Sequence, residues 1–382
     1  MSEAIVPFRI AVSDEILADL RERLARTRFP DEVNDADWSY GTRLDYLKEL
    51  CGYWRDEFDW RAREAELNRF EQFTTSIGGL RLHFICARSI EPEALPLVIT
   101  HGWPGSIAEF SKIIEPLRNP RAHGGRASDA FHVVCPSIPG YAFSEAAREP
   151  GMNARRVAEH FAQLMARLGF DRYGAQGGDW GSAVSTLLGV VDPDHCCGIH
   201  LNMLNVRPPS GLQNPLEGLT EVERARFEDR KRFTAEQMGY FRIQASKPQS
   251  LGYGLNDSPA GLAAWIVEKF RAWSDCGGNV ESRFSRDELL TNITLYWVTQ
   301  CITSSTRLYR ENSHARGMGE ISRVPTGAAI FPAELALMPR SWAEHTYNLI
   351  HWTEMPSGGH FAAMEEPELL TRDIRSFFRK VR

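Results

Sequence analysis

Gln176-Gly177-Gly178-Asp179-Trp180-Gly181-Ser182 carries a G-x-D-x-G pattern, with an aspartate at the apex where this kind of turn more often holds serine. In the serine version a sharp strand-to-helix turn lifts the central side chain above a sheet, and glycines flank it because larger side chains would clash. An aspartate changes the chemistry available there. A serine must be deprotonated before it attacks an acyl carbon, whereas a carboxylate is charged at neutral pH and can displace a leaving group from a saturated carbon. A second reading makes Asp179 only the cap of a helix running through Ser182–Val190, a common position for aspartate after glycine.

Outward from this turn the chain alternates between strand and helix signals. Leu97–Thr100 and Phe131–Cys135 read as strands buried on both faces. The helical spacing of Val157, Phe161, Leu164 and Leu168 leads through Gly169 to the strand before the turn. Further upstream Leu80, Leu82, Phe84 and Cys86 alternate with Arg81, His83 and Ile85 after Gly78-Gly79, as in an antiparallel hairpin. Before it lie two helical patterns. Ser13-Asp14-Glu15 opens one with Ile16, Leu20 and Leu24, stopped at Phe29-Pro30, and Leu47, Cys51, Trp54 and Phe58 mark the other within Asp45–Arg63. After Val206 come Arg207-Pro208-Pro209, a charged stretch from Glu217 to Arg232, and helical patterns over Ala260–Trp273 and Asp287–Arg310 without a buried strand. Strand character returns at Gly327–Phe331 and Asn348–Thr353. The expectation is an α/β fold: a mostly parallel central sheet flanked by helices, with a helical extension over 1–75, core over 76–205 and 321–382, and an inserted helical cap over 206–320.

The 382 residues are 43% apolar and 25% charged with a net charge of −6, ordinary values for a globular chain with a sizeable core. They provide no basic field for nucleic acid or an anionic membrane surface. The start, MSEAIVPFRIAVSDE, has no basic segment followed by an apolar run, and the uncharged stretch Asn292–Thr306 is shorter than the roughly 20 residues that span a bilayer. Seven irregularly spaced cysteines point to reduced thiols and a cytoplasmic location. Cys196-Cys197 beside His195 lacks metal-site spacing and there is no His-Glu-x-x-His, so no metal is expected.

Ligands of such sheets sit beyond the carboxyl ends of parallel strands, so the informative residues are those that follow predicted strands. His360 lies in Ser357-Gly358-Gly359-His360-Phe361 after one strand, and Glu334 in Phe331-Pro332-Ala333-Glu334 after another. Chain order is then nucleophile, acid, histidine, the order of α/β-hydrolases. Glu334 also reads as an ordinary first-turn helix glutamate and His360 as a loop histidine, while Asp192 and Asp194 of a Val-Asp-Pro-Asp turn are alternative acids. His101-Gly102-Trp103-Pro104-Gly105 directly follows the strand Leu97–Thr100, where the backbone N–H of Trp103 would form an oxyanion hole with that of Trp180.

With these residues assembled, the chain resembles the microsomal-type epoxide hydrolases, an α/β-hydrolase family with a helical N-terminal extension, over nearly its whole length. The marks are His101-Gly102-Trp103-Pro104-Gly105, Gly178-Asp179-Trp180-Gly181-Ser182, Leu255-Asn256-Asp257-Ser258-Pro259, and Gly358-Gly359-His360-Phe361-Ala362-Ala363 followed by Glu365-Glu366-Pro367. The resemblance implies that Asp179 is the nucleophile, His360 the base and Glu334 its orienting acid. It also implies two cap tyrosines that activate an epoxide oxygen: Tyr240, in Gly239-Tyr240-Phe241-Arg242-Ile243-Gln244, and Tyr309, in Ser304-Ser305-Thr306-Arg307-Leu308-Tyr309-Arg310. Spacing alone would make either a packing residue.

The implied reaction converts a bulky apolar epoxide and water to a vicinal diol through a covalent aspartyl ester, and needs no cofactor because no redox step is involved. Membrane-anchored members of the family begin with an apolar anchor and this chain does not. Detoxification, catabolism and biosynthesis all stay open as settings, and so does homo-oligomerisation. A haloalkane dehalogenase would use the same aspartate, with Trp180 as a halide donor, but halide departs without a proton and gives the tyrosine pair no task. A serine esterase is disfavoured by the lack of G-x-S-x-G.

Overall fold

A computed structural model of the chain describes residues 3–204, 206, 208, 209, 214, 216–315, 320–335 and 337–382. Met1 and Ser2 of the N-terminal reading, and Arg207 at the expected start of the insertion, lie outside the described residues.

Nine strands form one sheet: β1 (Val6–Phe8), β2 (Gln72–Ile77), β3 (Leu80–Ala87), β4 (Leu95–Thr100), β5 (Phe131–Pro136), β6 (Tyr173–Gly177), β7 (Cys196–Leu201), β8 (Pro325–Ile330) and β9 (Asn348–Glu354). Their order is β1-β2-β3-β5-β4-β6-β7-β8-β9. Pairings from β1 to β5 are antiparallel, and those from β5 through β9 are parallel. Leu97, Val98 and Ile99 of β4 and Val133, Val134 and Cys135 of β5 are wholly buried, as runs covered by helices on both faces should be. The chain leaves β4 toward β5 on one side and returns to β6 on the other, so the strand order reverses at the β4/β6 boundary. There Thr100 pairs with Gly177, which brings the loop after β4 beside the turn after β6. A crevice at such a reversal is where α/β sheets bind ligands.

Between β7 and β8, among the described residues, the chain is helical: Glu221–Gln237, Gly239–Ser246, Pro248–Leu255, Pro259–Ala272, Arg286–Val298 and Ile302–His314. The N-terminal helices Asp14–Ala25 and Leu44–Asp56 lean on this insertion. Trp54 Nε1 donates to Thr294 Oγ1 at 3.0 Å, Tyr53 Oη to Asp287 Oδ1 at 2.9 Å, and Thr42 Oγ1 to the Ala264 carbonyl at 2.8 Å. Arg23 and Asp257 add an ion pair at 2.7 Å. Among the described residues no helix is long and apolar enough to cross a membrane.

Four local features differ from the sequence reading. The N-terminal segment is not purely helical, because Val6–Phe8 adds an antiparallel edge to β2. The pattern over Asp45–Arg63 is two helices, since the first ends at Asp56 and Asp59 caps the second by accepting the Ala62 N–H. The pattern over Asp287–Arg310 is likewise broken, at Thr299–Cys301, where Gln300 has a φ of 52°. Finally, β7 had no strand signal, because Gly198 and His200 interrupt its apolar run. Both have local reasons: a Cβ on Gly198 would crowd Phe377 at 3.1 Å, and Nε2 of buried His200 pairs with Asp373 at 2.9 Å.

Candidate active site

The turn after β6 is as sharp as its sequence requires. Asp179 has a φ of 49°, a left-handed conformation that costs a non-glycine residue roughly 1–3 kcal/mol and persists only where surroundings enforce it. Gly181 lets the helix Asp179–Val191 dock on the sheet, because a Cβ there would lie 1.9 Å from the Thr100 carbonyl oxygen. Gly102 makes room for the aspartate itself, since a Cβ on it would fall 2.3 Å from Asp179 Cβ. The helix begins at Asp179 rather than Ser182, its cap is Gly178, and no side chain caps it. Asp179 therefore is not a capping aspartate.

Its carboxylate has two distinct oxygens. Oδ1 accepts the Trp103 N–H at 2.8 Å, and Oδ2 faces His360 Nε2 at 3.5 Å. The other ring nitrogen of His360, Nδ1, meets Glu334 Oε1 at 2.7 Å. Glu334 lies in the loop after β8 and His360 in the loop after β9, and the two loops are tied by Ala333 N–H donating to the Gly358 carbonyl at 3.1 Å. Asp192 points elsewhere, accepting from Tyr173 Oη at 2.8 Å and pairing with His195, and Asp194 is exposed. Glu334 is thus the acid brought to His360. Among the described residues Trp103 supplies the N–H on Asp179, while the N–H of Trp180, adjacent in sequence, makes no hydrogen bond to that carboxylate.

Tyr240 and Tyr309 come from different helices of the insertion but meet over Asp179, ring centroids 5.9 Å apart. Tyr240 stacks on Trp103 at 5.5 Å, and Tyr309 meets Trp180 edge-on at 4.9 Å. The indole N–H groups of Trp103 and Trp273 are buried without protein partners, and the Tyr309 hydroxyl has within reach only the Tyr240 hydroxyl and the Trp180 indole. Native interiors seldom leave polar atoms unpaired, so this donor-rich corner of the cavity is suited to an acceptor from outside the chain.

Electrostatics follow from the enclosure. Burial lowers the pKa of His360, but the Glu334 and Asp179 carboxylates outweigh it and hold the imidazole well above its ordinary range. Burial raises both tyrosine pKa values, with the Asp179 charge adding to it, so both phenols stay protonated. Glu109, whose carboxyl abuts Gly105, is pushed up to about 8 by burial first, with His360 opposing and the nearby carboxylates assisting.

A cavity of about 210 Å³ opens on Asp179, Tyr240 and Tyr309 and is walled by Met203, Leu204, Arg230, Phe233 and Phe241. A larger groove of about 1150 Å³, lined by charged residues such as Arg63, Lys112 and Arg372, does not reach Asp179. It has none of the convergent polar groups of the smaller cavity, which is the better site.

Some contributors were not anticipated from sequence. Trp273 accepts the His360 N–H on its carbonyl at 2.9 Å and sets its ring 5.2 Å from the imidazole. Asp275 Oδ2 accepts the Gly358 N–H at 3.0 Å. Both anchor the histidine loop to the insertion, and nothing in their local sequence marks that long-range role. The arrangement offers an anionic oxygen open to a cavity, an oriented imidazole behind it, a backbone donor on the second oxygen and phenols opposite.

The family described as "Epoxide hydrolase N terminus" matches residues 5–110, and the "alpha/beta hydrolase fold" family matches residues 96–237. Epoxide hydrolase 1 of Sus scrofa is 42% identical over 405 residues, covering 98% of this chain and 88% of that protein. The crystal structure of juvenile hormone epoxide hydrolase from the silkworm Bombyx mori matches with a TM-score of 0.93 at 33% identity, covering 100% of this chain and 95% of that one. The epoxide hydrolase structure from Aspergillus niger gives 0.90 at 34% identity, covering 100% and 97%.

Proposed function

The chain belongs to the epoxide hydrolases built on the α/β-hydrolase fold, and from that premise we propose that it opens an apolar, bulky epoxide through a covalent ester on Asp179. The observation that carries this reading is the division of labour on one carboxylate: Oδ1 held by the Trp103 N–H at 2.8 Å and Oδ2 facing His360 Nε2 at 3.5 Å, on an aspartate that lines the same cavity as both tyrosines.

In the first step Oδ2 attacks an epoxide carbon and the C–O bond of the ring breaks. The departing oxygen becomes an alkoxide, a poor leaving group in water, and here it receives a hydrogen bond and a proton from the Tyr240–Tyr309 pair. Because burial keeps both phenols protonated, they are donors before the reaction begins. The product is a hydroxyalkyl ester in which Oδ1 is the carbonyl oxygen.

Hydrolysis of that ester is the task of His360. Esterification neutralises Asp179 and so removes one of the two charges that hold the imidazole pKa up, which readies His360 to take a proton from water. Glu334 fixes the ring orientation through Nδ1 and balances the charge that forms. Hydroxide adds to Cγ, the negative charge gathers on Oδ1 at the Trp103 N–H, and the bond from Cγ to the ester oxygen breaks. The proton of the added hydroxide passes to the departing oxygen, so a vicinal diol leaves and Asp179 is again a carboxylate, while the proton held on His360 restores the tyrosine pair. The Trp180 N–H, at the start of the same helix, is the second donor in this reading. No step requires a redox or electron-sink cofactor.

The experiment is a direct comparison of substrates with the purified protein. Styrene oxide should yield phenylethanediol with catalytic turnover, and 1-chlorohexane should release no chloride above background. Chloride release without diol formation from any epoxide would replace this reading by that of a dehalogenase.

A further inference from the structure

Arg230 sits on the helix Glu221–Gln237 and lines the cavity that holds Asp179, Tyr240 and Tyr309. Its neighbours on that helix are all accounted for. Arg226 pairs with Glu354, Lys231 with Glu228, Arg232 with Asp229, and Arg224 donates to the Leu219 carbonyl. Arg230 alone among these cations has no carboxylate or carbonyl partner among the described residues, and its polar contact is the Met338 sulfur. Burial lowers its pKa and no acidic group opposes that effect. It nonetheless stays charged, since a guanidinium does not lose its proton at any working pH. The cavity residues Phe233, Phe241, Met203 and Leu204 carry no negative charge, and the carboxylate that lines the cavity is that of Asp179.

A half-buried guanidinium without an anionic partner is available to bind one, and its planar fork matches a carboxylate in two parallel hydrogen bonds. We propose that Arg230 is a recognition site for a carboxylate on the substrate, so that the molecules turned over best are epoxy acids whose anionic end lies away from the oxirane. This rests on the epoxide-opening reading of the same cavity and adds a substrate class to it. The charge also has a purpose in the reaction: an anionic substrate approaching the Asp179 carboxylate is repelled, and a cation in the wall of the same cavity offsets that repulsion and orients the oxirane toward Asp179.

The test uses acid and amide pairs that differ only in charge: 4-(oxiran-2-yl)benzoate against 4-(oxiran-2-yl)benzamide, and 10,11-epoxyundecanoate against its primary amide, with diol formation as the readout. For wild-type protein the acid-to-amide ratio of kcat/KM should be about tenfold or more on at least one scaffold, mostly through KM, as expected for a charge-assisted contact made in both ground and transition states. Arg230→Gln should bring that ratio to about one, and Arg230→Lys should keep part of it, because lysine retains the charge without the fork. A wild-type ratio of one or less on both scaffolds, or a ratio that Arg230→Gln leaves unchanged, overturns the proposal. Diol from styrene oxide and from the amides in that case shows that the epoxide-opening reading survives alone, whereas no diol from any of these compounds removes both.

Discussion

Replacing His360 by glutamine separates the two halves of the proposed reaction, and the structure indicates which half should fail. Asp179 Oδ2, the Trp103 donor and both tyrosines lie outside the substitution, so ester formation should stay within about tenfold of wild type. Hydrolysis loses its general base, worth about 10²–10⁴-fold, or about 2.7–5.4 kcal/mol of barrier. Glutamine is preferred to alanine because the Glu334 side chain is only 2% exposed and is held through His360 Nδ1 at 2.7 Å. Removing that partner outright would strand a buried charge at a cost of about 3–5 kcal/mol, whereas an amide N–H can still reach it. Mixed with styrene oxide, the variant should consume about one equivalent per site quickly and then release diol slowly, given a hydrolysis step slowed by at least about a hundredfold. Intact-mass and peptide analysis should find one styrene oxide mass on the peptide that contains Asp179. Undiminished diol turnover, or an adduct on another peptide, would refute the reasoning.

Tyr309→Phe should slow ester formation by about 10²–10⁴-fold while changing the melting temperature little, because the hydroxyl it removes meets only the neutral Tyr240 and Trp180 groups; single-turnover quench and calorimetry check the two halves, and an unchanged first step would discard the donor role. Asp179→Asn mimics the neutral ester, so the imidazole of His360 should titrate at a lower pH than in wild type, since one of the two carboxylates that raise it is gone. Histidine NMR titration measures this, and an equal or higher value in the variant would contradict the coupling of ester formation to base release.

Much of this site was legible because its residues follow strands. Asp179 and the Trp103 loop come directly after β6 and β4, and the glycines around them announce the close approach that the Cβ distances bear out. Glu334 and His360 were readable for the same reason, but only the folded chain separates Glu334 from Asp192, since each simply follows an element of the core. The tyrosines were not legible from spacing. They lie on two helices of the insertion and meet only through tertiary packing, so the resemblance to a known family was needed to single them out. Trp273, Asp275 and Arg230 escaped notice for a related reason: each acts through a partner or a void far away in sequence. Among the strands, β1 is too short and exposed to show a pattern, and β7 hides behind a glycine that abuts Phe377 and a histidine paired with Asp373.

The origin of the oxygen in the first molecule of diol tests the covalent ester on Asp179 most directly. With enzyme in excess over styrene oxide in water enriched in oxygen-18, the oxygen added to substrate should come from Oδ2, so the diol from that single turnover should be unlabelled. The label should appear instead in the Asp179 carboxylate. A labelled diol in the first turnover, with an unlabelled Asp179 peptide, would mean that water attacks the epoxide directly and that Asp179 is not the nucleophile.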